Sequence, residues 1–225
     1  TITGGTILSG ATTNAVQVRW TTIGTQTLTV VEEDATGLCS ATSTLNVSVT
    51  YMPAPSITGN LTSCSNTSET YSTPAVAGST YAWTVSGTVA DRTTSGLTNN
   101  SITIQWLTAG TRTLTVVETA GLCTATATAN VVVTATPAPV ISRTSPSGLL
   151  NQACLDETIT YSTPNVGGTT YLWTVTGGTI TGVNNANAVT VNWTAVGNQT
   201  LTVVEKSTVN TNCEGTTSLS VSVEE

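Results

Sequence analysis

The chain has 225 residues, 38% of them hydrophobic and 8% charged, with five Lys+Arg, twelve Asp+Glu and no His, for a formal net charge of −7. That length holds two domains and part of a third, and singly scattered Lys and Arg form no basic stripe for a nucleic-acid backbone or an anionic membrane surface. No apolar run approaches the roughly 20 residues that span a bilayer, and the first residues lack the basic start and apolar centre of a signal peptide, so an export signal would lie outside this segment. About a quarter of the residues are Thr, a β-branched type that suits a pleated, half-solvated sheet and disfavours helix, so the composition reads as all-β.

In chain order, Val16, Val18 and Trp20 alternate, and Leu28 and Val30 follow within RWTTIGTQTLTVVE, which starts at Arg19. A second unit sets Tyr81, Trp83 and Val85 on one face, then Ile102, Ile104 and Trp106, then Leu114 and Val116 in QWLTAGTRTLTVVE from Gln105, then Val131 and Val133. A third repeats the series with Tyr171, Trp173 and Val175, then Val189, Val191 and Trp193, then Leu201 and Val203 in NWTAVGNQTLTVVE from Asn192, then Leu219, Val221 and Val223. Alternation of period two marks strands with one buried face, and a repeat of about 86 residues suits one sandwich domain rather than a solenoid turn. TYSTPAVAGSTYAWTV from Thr70 matches TYSTPNVGGTTYLWTV from Thr160, and no such block precedes the first unit. Proline pairs at Pro53 and Pro55 and at Pro137 and Pro139 mark joints, so residues 1–52 read as the C-terminal half of a repeat and residues 53–136 and 137–225 as complete ones. Each complete repeat predicts two packed antiparallel sheets of about seven strands, with Trp20, Trp83, Trp106, Trp173 and Trp193 in the cores. Gly24, Gly110 and Gly197 precede the LTVVE strand, where a tight turn favours a residue without Cβ.

The order of a Y-x-W strand, a variable middle, a second edge and then G-T-x-T-L-T-V resembles the PKD-like domains strung along gliding-motility and other secreted adhesins of Bacteroidetes. Two departures stand out. WTVSG follows from Trp83 and WTVTGG from Trp173 where that family commonly has WDFGDG, and Gln26, Arg112 and Gln199 occupy the place of an aromatic two positions after the turn glycine. The resemblance implies immunoglobulin-like β-sandwiches arranged as a rod, at the cell surface or outside the cell. It implies a stalk or spacer of a bacterial adhesin or filament. Its partners would be neighbouring repeats, other copies in a fibre, and a surface glycan or protein at a distal site. The sameness of the repeats supports the spacer. The alternative is a binding module using the variable loops, such as the stretch between the two tryptophans of each repeat or Arg143 to Asn151, which has no equivalent in the second repeat.

On the repeat alignment Cys64 and Cys154 are early cysteines, and Cys39, Cys123 and Cys213 are late ones, following the VVE strand. One of each per repeat predicts Cys64–Cys123 and Cys154–Cys213 disulfides at one end of each sandwich, with Cys39 left unpaired by truncation. Neither C-x-x-C nor His is present, so zinc is not implied, and disulfides point to an oxidising compartment.

The absence of His removes Ser-His-Asp and Cys-His nucleophile designs, and no catalytic, cofactor or metal residue is assigned. Glu32, Glu118 and Glu205 recur at the end of one strand, either as polar strand termini or as contributors to calcium at a domain end; calcium prefers six to eight oxygens with several carboxylates together, which favours the first. Tyr81, Trp83, Tyr171 and Trp173 alternate with small residues and read as core rather than a sugar-stacking platform. The Thr pattern follows the domain period, unlike the short spacing of ice-binding surfaces. Pro53-Ala54-Pro55 and Pro137-Ala138-Pro139 predict stiff, extended joints. In residues 1–50, lacking the strands that carry Tyr81, Trp83 and Val85 in the second repeat, Val16, Val18, Trp20, Leu28 and Val30 would present an apolar face to be covered by upstream chain or by a neighbour.

Overall fold

The computed structural model describes residues 1–225 as strands joined by turns, with one short 3-10 turn, Val89–Asp91, and no α-helix. The N-terminal unit has β1 (Gly5–Ser9) paired with β2 (Gln17–Trp20) and β3 (Gly24–Glu33) paired with β4 (Ser40–Val49), both antiparallel. Ile2 bridges Leu28, the position that Val85 takes against Leu114 in the second repeat. The end of the Y-x-W strand is therefore represented here, which corrects the expectation that none of it is. Val18, Trp20 and Leu28 are half-buried, and Val30 is 58% exposed; Trp20 thus differs from the other four tryptophans.

The middle sandwich comprises β5 (Thr62–Cys64), β6 (Ser68–Ser72), β7 (Ser79–Val85), β8 (Arg92–Ser95), β9 (Ser101–Trp106), β10 (Gly110–Ala120) and β11 (Cys123–Thr134). One sheet has the order β5-β11-β10-β7 and the other β6-β9-β8. The third sandwich comprises β12 (Ser142–Ser145), β13 (Gln152–Cys154), β14 (Thr158–Ser162), β15 (Thr169–Val175), β16 (Gly178–Thr181), β17 (Ala188–Trp193), β18 (Gly197–Ser207) and β19 (Glu214–Glu224). Its sheets run β12-β14-β17-β16 and β13-β19-β18-β15. The fold is an all-β, immunoglobulin-like sandwich repeated along the chain.

Alternation explains both cores. Leu114 and Val116 of β10 point inward while Thr113 and Thr115 stay nearer solvent, and Leu201 and Val203 of β18 do the same. Trp83, Trp106, Trp173 and Trp193 are all buried. Trp106 meets Tyr71 edge-on at 6.3 Å between ring centroids, and Trp193 meets Tyr161 at the same separation, the geometry that the quadrupoles of aromatic rings favour. The turns before β3, β10 and β18 place Gly24, Gly110 and Gly197 at φ of 106°, 138° and 96°, a region that a Cβ makes costly.

The short strands β5 and β13 decide the ends of each sandwich. β5 runs parallel to β11 with Cys64 opposite Thr134, and β13 runs parallel to β19 with Cys154 opposite Glu224. The early cysteine therefore lies at the pole where the chain leaves the domain. The late cysteine lies at the other pole, where β11 begins at Cys123 and where Cys213 immediately precedes β19. A strand of 12 residues places its ends roughly 36 Å apart at about 3.3 Å per residue, whereas a disulfide needs Cα atoms within about 7 Å. Neither Cys64–Cys123 nor Cys154–Cys213 forms. Instead Cys64 is bonded to Cys213 of the next sandwich, with Cα atoms 5.4 Å apart, and Cys39, Cys123 and Cys154 are free thiols.

Candidate functional site at the joint between the sandwiches

The Cys64–Cys213 bond lies where the middle sandwich hands over to the third, and both chain segments around it are fixed. β11 ends at Thr134, and two residues later Thr136 is clamped by Ser65: its amide donates to the Ser65 hydroxyl at 2.9 Å and its own hydroxyl donates to the Ser65 carbonyl at 2.6 Å. Pro137-Ala138-Pro139 then lies along the start of β19. Gly215 packs so closely on the Pro137 carbonyl that a Cβ would not fit, and Thr217 donates its hydroxyl to the Pro139 carbonyl at 2.6 Å. The two prolines fix φ and donate no backbone hydrogen bond, so neighbouring side chains and carbonyls of the two domains hold the linker.

Cys213 is presented by the loop between β18 and β19. Its carbonyl accepts from the Ser207 amide at 2.9 Å and its amide donates to Asn210 at 2.9 Å, while the Ser207 hydroxyl accepts from Val209 and Asn210. Cys213 is only 1% exposed and Ser63, Cys64 and Ser65 are buried beside it. A cavity of about 370 Å³ opens at the joint, between linker residues 134–138 and Val166, Gly168, Glu205, Ser207 and Val209.

Two of the recurring glutamates are not polar strand termini. Glu118 is 1% exposed and accepts from the Ser79 hydroxyl at 2.7 Å, and Glu205 is 2% exposed, with Oε1 buried and unpartnered. Glu32, their equivalent in the first unit, is exposed. The signal for burial was in the pattern: Leu114, Val116 and Glu118 share one face of β10, as Leu201, Val203 and Glu205 share one face of β18. No cluster of three His, Cys, Asp or Glu residues suited to a metal gathers around them or elsewhere.

The aromatic residues considered as a sugar platform lie inside. The Tyr81 hydroxyl donates to the Pro74 carbonyl at 3.0 Å and accepts from the Val76 amide at 2.8 Å, and Tyr171 makes the same pair with Pro164 and Val166 at 3.3 and 2.8 Å. Trp83 and Trp173 donate from Nε1 to the Asn99 and Ala186 carbonyls at 2.8 Å each. These bonds satisfy each polar tip while the rings fill the core.

Residues two positions past the turn glycine tie that turn down, a role not read from the sequence. Gln26 donates to the Thr22 and Ile23 carbonyls and Gln199 to those of Ala195 and Val196. In the middle sandwich Arg112 instead pairs with Asp91 at 3.2 Å, and Thr108 donates to the same carboxylate at 2.8 Å. Hydrogen bonds from the Thr108 hydroxyl and the Thr88 amide, with the Arg112 charge, hold the Asp91 carboxyl down to about 2. Arg143 organises the loop absent from the middle repeat, donating to the Pro146, Leu149 and Gln152 carbonyls and pairing with Glu157 at 2.5 Å.

No helix is long and apolar enough to cross a membrane. No curated protein matches the chain. Among solved structures, the fibronectin(III)-like modules of Clostridium thermocellum CbhA align at 15% identity over 75% of this chain and 94% of theirs, with a TM-score of 0.34. Extracellular domains 3–5 of Drosophila OTK align at 9% identity over 90% of this chain and 72% of theirs, with a TM-score of 0.42. A SusE-like surface located polysaccharide binding protein of Bacteroides thetaiotaomicron aligns at 11% identity over 89% of this chain and 43% of its own, with a TM-score of 0.34. Residues 50–133, which carry the middle sandwich, match the model of the PKD-like domain family.

Proposed function

We propose that the chain is a structural spacer, a run of stalk repeats of a secreted bacterial cell-surface adhesin or filament, without catalytic activity. The observation that carries this reading is the Cys64–Cys213 bond between consecutive sandwiches. A covalent bond across the joint, beside a linker held by Thr136 and Thr217, restricts hinge motion, which a spacer under load requires and a free-standing binding module does not. Disulfide formation also fits an oxidising, extracellular compartment. The alternative reading, contact with a glycan or protein through the Arg143–Asn151 loop, rests on that loop's difference between repeats.

X-ray scattering of the full chain, oxidised and after reduction, together with glycan-array binding, separates the two. A spacer gives an elongated particle when oxidised, a wider spread of joint angles when reduced, and no glycan signal. A particle with the second and third sandwiches folded back on each other, or saturable glycan binding lost on deleting residues 146–151, overturns the spacer reading.

A further inference from the structure

Cys154 stands in the third sandwich where Cys64 stands in the second. Each closes a three-residue strand paired in parallel with the end of the last strand of its domain. The next residue donates to the carbonyl opposite, Ser65 to Thr134 at 2.8 Å and Leu155 to Glu224 at 2.7 Å. The residue after that has positive φ, 65° at Asn66 and 60° at Asp156, and donates to the Trp106 or Trp193 carbonyl, at 2.6 and 2.7 Å. Cys154 is exposed.

Cys123 stands in turn where Cys213 stands. It lies opposite Ala120 across the final hairpin, as Cys213 lies opposite Ser207. A separate contact places Cys123 at the same kind of joint. Thr50 follows β4 as Thr134 ends β11, because Gly24 pairs Val49 as Gly110 pairs Val133. The Thr50 hydroxyl oxygen lies 3.7 Å from the Cys123 sulfur, so the end of the N-terminal unit meets the middle sandwich at its late cysteine.

We propose that the Cys64–Cys213 bond is one rung of a repeating inter-domain staple, in which the early cysteine of each repeat of this kind bonds the late cysteine of the following one. Cys154 is then the docking thiol for the late-loop cysteine of another copy of the repeat. Cys123 is the docking thiol for an early cysteine carried beside Thr50. The length of the last strand, which keeps early and late cysteines of one repeat at opposite poles, forces the bond to run between repeats. Each bond forms by thiol–disulfide exchange with a low-molecular-weight disulfide: one thiolate attacks it and releases one small thiol, the second thiolate displaces the other, and two protons leave with the pair. The proposal rests on the position of the bond and not on the spacer reading.

The test extends the full chain after Glu225 with a second copy of residues 136–225, so that Thr136 follows Glu225 as it follows Ala135 in the native joint, marked by Val209→Ile in the added late loop and refolded with oxidised and reduced glutathione. Peptide mapping by mass spectrometry without reduction is expected to show Cys154 joined to the marked loop alongside Cys64–Cys213. Cys154 joined to Cys213 of its own repeat, or left as a thiol while Cys64–Cys213 is formed, overturns the proposal. Should the extended chain not fold, Thr50→Cys in the 225-residue chain reads the other joint. The new thiol is expected to bond Cys123, so that alkylation under denaturing conditions counts two free thiols, Cys39 and Cys154. Four free thiols overturn the Cys123 assignment.

Discussion

Replacing Cys64 and Cys213 together by Ser removes the staple, and the structure sets what this costs each sandwich. While the middle sandwich is folded, its parallel pairing holds Cys64 beside Thr134, so unfolding the third alone leaves the bond closing a loop of roughly 80 residues, worth about 4.5 kcal/mol in the chain-entropy account. While the third is folded, Gly215 and Thr217 hold the linker near Cys213, so unfolding the middle sandwich alone closes a loop of similar length and similar worth. Unfolding both closes the full separation of 149 residues, worth about 5 kcal/mol. The staple therefore supports whichever sandwich unfolds first by about 4.5 kcal/mol and adds only about 0.5 kcal/mol to the second. Calorimetry of the double Ser variant is expected to show the lower transition fall by at least about 15 °C and the upper one by only a few degrees, with Cys154→Ser unchanged as control. Equal shifts of both transitions, or a lower transition moved by less than about 5 °C, would refute the loop-closure reasoning.

Trp106→Ala, at a fully buried ring whose Nε1 donates to the Tyr71 hydroxyl at 3.3 Å, is expected to destabilise the middle sandwich by about 3–5 kcal/mol, read by denaturant unfolding in the double Ser background, where no bond links its stability to that of the third sandwich. Burial pushes the Tyr71 hydroxyl up to about 12 from 10.0, against the lowering effect of Trp106. The stability tied to Tyr71 is thus fully present below pH 10 and is lost as pH rises towards 12; tyrosinate absorbance and far-ultraviolet dichroism followed together should show ionisation of Tyr71 accompanying unfolding. Asp91, held down to about 2 against a usual 3.8 by Thr108, Thr88 and Arg112, contributes stability present above pH 4 and lost as pH falls through about 2. The amide resonance of Thr88, which donates to the Asp91 carboxylate at 2.7 Å, should titrate there and not near pH 4.

Which residues face inward was legible in the chain itself. Tyr81 with Trp83, Ile102 with Ile104 and Trp106, and Leu201 with Val203 alternate with polar residues, and a strand with one dry face leaves that mark within a few positions. Glu118 and Glu205 obey the same alternation, and only their charge sets them apart from the apolar residues of that face. The pairing of the cysteines was not legible, because spacing along the chain says nothing of which pole of a sandwich a segment reaches. That depends on β5 and β13 lying parallel to β11 and β19, strands some 70 residues further along the chain. Sequence by itself determined the all-β class, the repeat and the apolar faces, since these follow from local periodicity and from one residue type recurring in register. Tertiary structure alone decided that Cys64 bonds Cys213: a disulfide forms only between Cα atoms a few ångströms apart, and the length of β11 separates the partners that the repeat alignment joins.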